Sequence, residues 1–265
     1  MAQPAAQRPA VQHLVVRYAK RGKMRFASHR DVARVFERGV RRAGLPIAYS
    51  AGFTPHPRIS YAGGAPTGVA SEAEYLSLAL TSRQAAAQVR ERLNATLPDG
   101  IDVIEVMDDA DGPAGDLLGA LEASQWRVVL PGVEPAAAER AVADFLALRE
   151  APVERLTDKG VRRLDARAAV VEMNVVVMGP TMADPDGGQR AAVTGYEDCA
   201  ILRMVVLHTA PAVRPEDVLT ALREQAGIVP SSPPMTTRLA QGPRALLTGE
   251  TLLTGETLLT GEKGS

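Results

Sequence analysis

The spacing of apolar and polar positions changes period several times along the chain, and each change marks an element. His13 to Tyr18 is apolar and β-branched and predicts a first strand. After the basic turn of Lys20, Arg21, Gly22 and Lys23, Met24 to Ala27 is expected to continue extended. From His29 the period lengthens: Val32, Val35, Phe36 and Val40 are spaced to bury one face of a helix, Ser28 and Asp31 make a capping box at its start, and Gly44 with Pro46 closes it. Leu45 to Tyr49 reads as a short strand, Glu74 to Leu80 as an alternating strand, Ser82 to Leu97 as a helix through Ala86, Val89 and Leu93, and Ile101 to Met107 as a strand.

The pattern then repeats. Gln125 to Leu130 and Val153 to Thr157 predict strands around a helix from Glu134 to Leu148. Val170 to Met178 and Ala200 to His208 are apolar runs of strand length joined by the loop Gly179 to Asp198, and Pro215 to Gln225 is a helix with proline in its first turn. The order predicts an α+β protein of two tandem ferredoxin-like (βαββαβ) units with antiparallel sheets, the second carrying insertions. The expected boundaries are a flexible N-terminus over 1–10, a first unit over 11–107, a linker over 108–124, a second unit over 125–240 and a disordered tail over 241–265. From Leu246 to Lys263 that tail is three near-identical six-residue copies, whose glycine every sixth residue suits neither a helix nor a solenoid.

One connection departs from this regularity. Ser50 to Gly68 holds three prolines and four glycines together with Phe53, His56, Arg58 and Tyr61. Pro55, Pro57 and Pro66 fix their own φ and restrain the residues before them, while Gly52, Gly63, Gly64 and Gly68 permit positive φ or close approach of a ligand. A stiff surface loop of this kind is a natural carrier of binding groups, although it could equally be a structural crossing between strands.

Charge sharpens the picture. The net charge of −1 hides twelve Lys and Arg against two acids over Met1 to Ser60, followed by three Arg against eleven acids over Tyr61 to Gln125. Either the first segment meets an anionic partner, nucleic acid being the commonest, or the two segments neutralise each other in the fold. On the first helix Arg30, Arg34, Arg38 and Arg41, with Arg42 beside them, form a basic stripe that a row of phosphates would match. A second basic patch runs from Asp158 to Arg167 and includes Arg162 and Arg163. No apolar run approaches a membrane span, and Met1 to Ala10 lacks the apolar core of a secretory signal, so the chain is expected in the cytoplasm without a membrane partner. The lone Cys199, expected as a buried thiol in an apolar strand, can hold neither a structural zinc nor an iron–sulfur cluster by itself.

These stretches, Tyr18 to Phe26 with Ser28, His29 and Asp31, Phe36 to Pro46, Tyr49 to Ser60, Gly68 with Glu72, Ala73, Glu74 and Tyr75, and Lys159 to Arg167, together resemble the radical-SAM-linked domain family of unknown function over residues 13 to 210. The family supplies no reaction. Its domain occurs fused to, or encoded beside, a radical S-adenosylmethionine protein and often near an RNase E/G-type ribonuclease, so the resemblance implies these as partners. A radical SAM enzyme needs three closely spaced cysteines, and one cysteine reduces this chain to an accessory, with no cofactor or metal of its own expected.

Three functions follow as expectations. The first is an RNA-binding adaptor that presents an RNA or ribosomal substrate to a radical SAM enzyme. Its phosphate contacts would be Lys23, Arg25, Arg30, Arg34, Arg38, Arg41, Arg42, Arg58, Arg162 and Arg163, and its recognition loop Gly52, Phe53, Pro55, Pro57, Tyr61, Gly63 and Gly64, with Phe53 and Tyr61 able to stack on unpaired bases. The second is an RNA-processing or RNA-modifying enzyme in which His29 and His56 converge with Asp31 and act as general acid and base, with Arg58 or Lys23 on the phosphate. The third is a docking module for a protein, without RNA. His13 and His208, inside apolar strands, read as structural.

Overall fold

The computed structural model describes residues 9–51, 53–109, 119, 121–158, 160–176 and 199–248. The chain divides into two units, Met1–Ala120 and Leu121–Ser265.

The first unit begins with β1 (Gln12–Lys20), a 3-10 helix (Gly22–Phe26) and α1 (His29–Arg42), and continues through β2 (Ile59–Ala62), β3 (Ala70–Leu80), α2 (Ala86–Asn94) and β4 (Ile101–Asp108). Its strands lie in the order β4-β1-β3-β2, and every neighbouring pair is antiparallel. The alternation along β1 and β3 sets the register: Leu14 faces Leu78 and Val16 faces Leu76. These side chains pack with Val32, Phe36 and Val40 of α1 and with Val89 and Leu93 of α2 into one core. Phe36, Leu14, Leu76 and Leu78 are fully buried, and each stabilises the unit by about 1.5–3 kcal/mol through removal from water.

Two local expectations are corrected here. Met24 to Ala27 is not extended: Met24 N–H donates to Arg21 O at 3.0 Å and Ala27 N–H to Met24 O at 3.0 Å, so the segment coils into the 3-10 helix that Gly22, at φ +51°, allows the chain to enter. Leu45 to Tyr49 is not the second strand and makes only the isolated bridges Ile47 to Leu80 and Tyr49 to Pro57. The edge of β3 is taken instead by Ile59–Ala62, inside the loop, where Ile59 pairs with Leu78 and Tyr61 with Leu76 and both side chains lean on the core.

The second unit runs β5 (Ala123–Pro131), α3 (Pro135–Ala147), β6 (Pro152–Thr157), β7 (Gly160–Asp165), α4 (Ala166–Ala169), β8 (Val170–Val176), β9 (Cys199–Leu207), α5 (Pro215–Ala226), β10 (Met235–Gly242) and α6 (Arg244–Leu247). Strand order is β10-β5-β9-β8, again antiparallel throughout. α3 packs on β8, β9 and α5 and buries Ala138, Ala141, Val142 and Phe145. The expected strand at Val153 to Thr157 forms as β6, but it pairs with β7 in a separate two-stranded sheet and stays out of the main one. β10 has no counterpart in the apolar pattern, because Met-Thr-Thr-Arg-Leu-Ala-Gln-Gly is largely polar; its ladder with β5 holds it. The tail expected from 241 is corrected in its first residues: Gln241 and Gly242 close β10, and α6 follows with Leu247 buried against Ala123 and Val205. The loop 179–198 and the tail from 249 lie outside the described residues. Cys199 sits half-buried at the start of β9 rather than in the core.

The architecture is therefore mixed α/β with a mostly antiparallel main sheet and six α-helices among the described residues. No helix among them is long and apolar enough to cross a membrane.

Candidate functional site

The N-terminus of α1 is built by its capping box. Asp31 N–H donates to Ser28 Oγ at 3.2 Å, Ser28 N–H returns a bond to Asp31 Oδ2 at 3.3 Å, and the Ser28 hydroxyl donates to the same carboxylate at 2.6 Å. The Ser28 hydroxyl, then its backbone N–H, hold the Asp31 carboxyl below its ordinary pKa, with the Arg34 charge adding to them. Asp31 is thereby committed to the cap.

His29 follows and is exposed. Its ring meets Tyr61 edge to face, 5.3 Å between centroids. A Cβ placed on Gly64 would stand 3.1 Å from His29 Nδ1, so the loop backbone passes the ring at a distance that glycine permits. Tyr61 in turn lies 6.4 Å from Phe36, which lies 4.6 Å from Tyr18. A run of four rings thus ties the core of the first unit to the surface histidine. Burial, and behind it the charge of Glu37, push the Tyr61 phenol well above its ordinary pKa, so it stays protonated and donates weakly to Ala33 O at 3.5 Å.

Two charged side chains that the sequence reading left unassigned hold the loop from beneath. Lys20 and Glu74 are both only 3% exposed. Lys20 Nζ donates to Ala65 O at 3.1 Å and Pro66 O at 3.3 Å, and Glu74 Oε2 accepts from Ala65 N–H at 2.9 Å. Gly68 N–H donates to Arg25 O at 2.8 Å, tying the end of the loop to the 3-10 helix. Gly63 (φ +57°) and Gly68 (φ +90°) take backbone conformations that a side chain would strain. Lys20 at the end of β1 and Glu74 within β3 therefore dictate where Gly63 to Pro66 lies against α1.

The two readings of the charge asymmetry separate by element. On β1 and just after it two arginines are neutralised: Arg17 lies 3.5 Å from Glu105, and Arg21 donates from Nε and Nη2 to Glu72 and from Nη1 to Asp102 at 3.0 Å. Its hydrogen bond to Glu72 raises the pKa of Arg21 further. On α1 the stripe remains open, because Arg30, Arg34, Arg38, Arg41 and Arg42 are all exposed and the only acid among their salt bridges in the described residues is Asp31, 3.7 Å from Arg34. Lys23 and Arg25 lie on the 3-10 helix, where the Arg25 guanidinium stands 5.0 Å over the ring of Phe26, itself 62% exposed. Phe26 was not singled out by the sequence, since an apolar residue in a short extended run ordinarily packs.

His56, Phe53, Pro55, Pro57 and Arg58 belong to a tight turn beyond this cluster. Ser50 N–H donates to His56 O at 2.9 Å, His56 N–H to Ser50 Oγ at 3.0 Å, and Phe53 is fully exposed at the tip. Pro57 is buried and Arg58 exposed. No hydrogen bond or ring contact among the described residues joins His29 to His56, and Asp31 is turned to Ser28. Gly52 and Lys159 lie outside the described residues. Arg162 and Arg163 are exposed on β7 of the second unit, opposite Arg155 and Glu154. Among the described residues no three His, Cys, Asp or Glu side chains gather where a metal would sit.

His208, in the second unit, is structural in the way its apolar setting suggested. Its Nδ1 lies 2.6 Å from Leu121 O and its Nε2 2.7 Å from Ser124 Oγ, and burial holds its pKa below the ordinary value. The neutral ring donates from Nδ1 to Leu121 O and accepts the Ser124 hydroxyl at Nε2.

In the first unit, then, His29, Tyr61, Gly63 and Gly64 come together beside an open arginine stripe and an exposed Phe26, a set of groups suited to gripping phosphates and stacking on bases. No curated protein matches the chain. Residues 13–215 match the family described as uncharacterized protein conserved in bacteria (DUF2344), which spans well over half of the 265 residues, and the chain belongs to that family.

Proposed function

We propose that the chain is an accessory protein to a radical SAM enzyme and binds the RNA, or ribosomal RNA, on which that partner works. The observation that carries the RNA part is the stripe of five exposed arginines on α1, whose one salt bridge among the described residues is Arg34 to Asp31, with an exposed aromatic next to the start of the helix. A row of like charges on one helix face repels itself and is stabilised by an anionic neighbour. Guanidinium forks match phosphate oxygens, and Phe26 and Phe53 offer faces on which unpaired bases stack. In this reading the Gly63–Pro66 segment is a recognition edge whose position Lys20 and Glu74 set. The radical SAM partner, and an RNase E/G-type ribonuclease in the same process, rest on the family resemblance and on Cys199 being the single cysteine. In both units the observed strand order supports reading them as ferredoxin-like units, the second with the β6–β7 hairpin inserted between α3 and β8.

The test is binding of a single-stranded RNA by the full chain. Arg34→Glu with Arg38→Glu is expected to weaken binding at least about tenfold, and absence of binding by the parent chain at low salt would overturn the RNA reading.

A second reading, a protein-docking module, is favoured by one observation. Leu156 and Val161 face each other near the turn of the β6–β7 hairpin and are 80% and 65% exposed, with Arg162 and Arg163 following. Leu156→Ser with Val161→Ser would then abolish capture of the radical SAM protein while RNA affinity is unchanged.

A further inference from the structure

The β6–β7 hairpin has an anchored side and an open side. Directly opposed residues of an antiparallel ladder share a face, and successive pairs alternate between the two faces. Val153–Leu164 and Arg155–Arg162 therefore lie on one side, and Glu154–Arg163 and Leu156–Val161 on the other. The first side is held down: Val153 and Leu164 are buried, and Arg155 donates from Nη1 to Asp217 Oδ2 of α5 at 2.7 Å and from Nη2 to Ala212 O at 3.0 Å. On the second side Glu154, Leu156, Val161 and Arg163 are all exposed. Neither Glu154 nor Arg163 forms a salt bridge among the described residues. With its inner face fixed to α5, the hairpin presents its outer face already ordered, which lowers the entropy lost on docking.

This outer face sets an apolar pair beside one acid and one base, so it has no net charge. A polyanion would gain from Arg163 and lose from Glu154. A second copy of the same face matches it at every position. A two-fold axis running along the hairpin, between two facing copies, exchanges β6 with β7. It places Leu156 of each copy against Val161 of the other, and Glu154 of each against Arg163 of the other. Apolar groups then meet apolar groups and each charge meets its opposite, twice over. We infer that this face is a contact between two copies of the chain, with the Leu156–Val161 pairs at its centre and two Glu154–Arg163 ion pairs beside them. The inference rests on the reading of the hairpin as a protein-docking surface and names a second copy as its occupant. Four side chains per copy fall well short of the roughly 1,200 Å² of a stable complex, so the association is weak and reversible.

Sedimentation velocity of the full chain, at concentrations from about 10 μM to about 1 mM, tests this. The weight-average mass is expected to rise reversibly from that of one copy toward that of two. Leu156→Ser with Val161→Ser should weaken association at least about tenfold, and so should Glu154→Arg, which turns both ion pairs into repulsions. Adding Arg163→Glu to Glu154→Arg swaps the charges and should restore association to within about threefold of the parent, as only a self-matching contact requires. All four positions are exposed, so circular dichroism should show the variants folded like the parent. A chain that stays at the mass of one copy overturns the inference. Association that survives the serine pair, or that the charge swap fails to restore, overturns it as well. The docking reading is judged separately by capture of the radical SAM protein. If the serine pair abolishes capture by a chain that never self-associates, that reading stands and this inference alone falls. If the serine pair abolishes self-association and leaves capture unchanged, the inference stands and the hairpin is not the site of the radical SAM protein.

Discussion

Glu74 shows how much of this site is decided one side chain at a time. Its carboxylate is the acceptor for Ala65 N–H, and it is buried beneath the loop that faces His29. Glu74→Ala is expected to cost about 1–3 kcal/mol in urea unfolding by orphaning that N–H, whereas Glu74→Gln, which keeps the acceptor, should cost less. Gly100 is a sharper case of backbone geometry. It sits at φ +88°, and a Cβ there would stand 2.7 Å from Arg21 O, so Gly100→Ala should destabilise the first unit by about 1–3 kcal/mol or more. His208 gives a pH dependence with a definite sign. Because the folded protein depresses its pKa, the unfolded chain takes up the proton first as pH falls below about 6.5, and stability is lost in that window and recovered above it. Chemical unfolding between pH 5 and 7.5 should show this slope, and His208→Gln should flatten it. Tyr61, Gly63 and Gly64 were legible as candidates because the loop's composition singled them out, and His29 because it follows the cap at the start of α1. Lys20 and Glu74 were not, since a lysine read as part of a basic turn and a glutamate within an alternating strand carry no mark of burial. Their roles come from Ala65 and Pro66, forty-five and forty-six residues from Lys20 in the chain.

At the scale of elements, α1 was readable to its first residue because its determinants are local. Ser28 and Asp31 make the cap, and Val32, Phe36 and Val40 bury the face. Ser28→Ala should cost about 1 kcal/mol and fray the turn that carries His29, which circular dichroism during thermal unfolding would detect. Strands β2 and β10 were missed for the opposite reason. Ile-Ser-Tyr-Ala is too short to announce itself, and Met235–Gly242 is too polar; the first is held by its ladder with β3 and the second by its ladder with β5. The 3-10 helix is intermediate. Its turn at Gly22 was visible, but the coil after it depends on the bonds from Met24 and Ala27, and it is this coil that leaves Arg25 and Phe26 stacked at the surface.

Over the whole molecule the net charge is −1, so nothing in the total charge favours nucleic acid. The distribution does. If the five α1 arginines each meet a phosphate, log K for single-stranded RNA should fall with log salt at a slope of about −3.5, and Arg34→Glu with Arg38→Glu should flatten it by about 1.4. A slope near zero would show that the stripe is only a solvated face. The chain alone determined the class of protein, the alternation of strands and helices, the arginine-striped helix with its cap, and the unusual loop, because periodicity, capping and proline and glycine content act over a few residues. Tertiary structure decided which segment pairs with β3 and which with β5, which charges are neutralised and which are left open. Arg17 and Arg21 look no different in sequence from Arg34 and Arg38. They differ because strand pairing brings Glu105, Glu72 and Asp102 to the first two, while the helix turns the other two outward. Electrostatic pairing depends on distances that only the long-range contacts set, and that is why the loop was visible from the beginning and its supports were not.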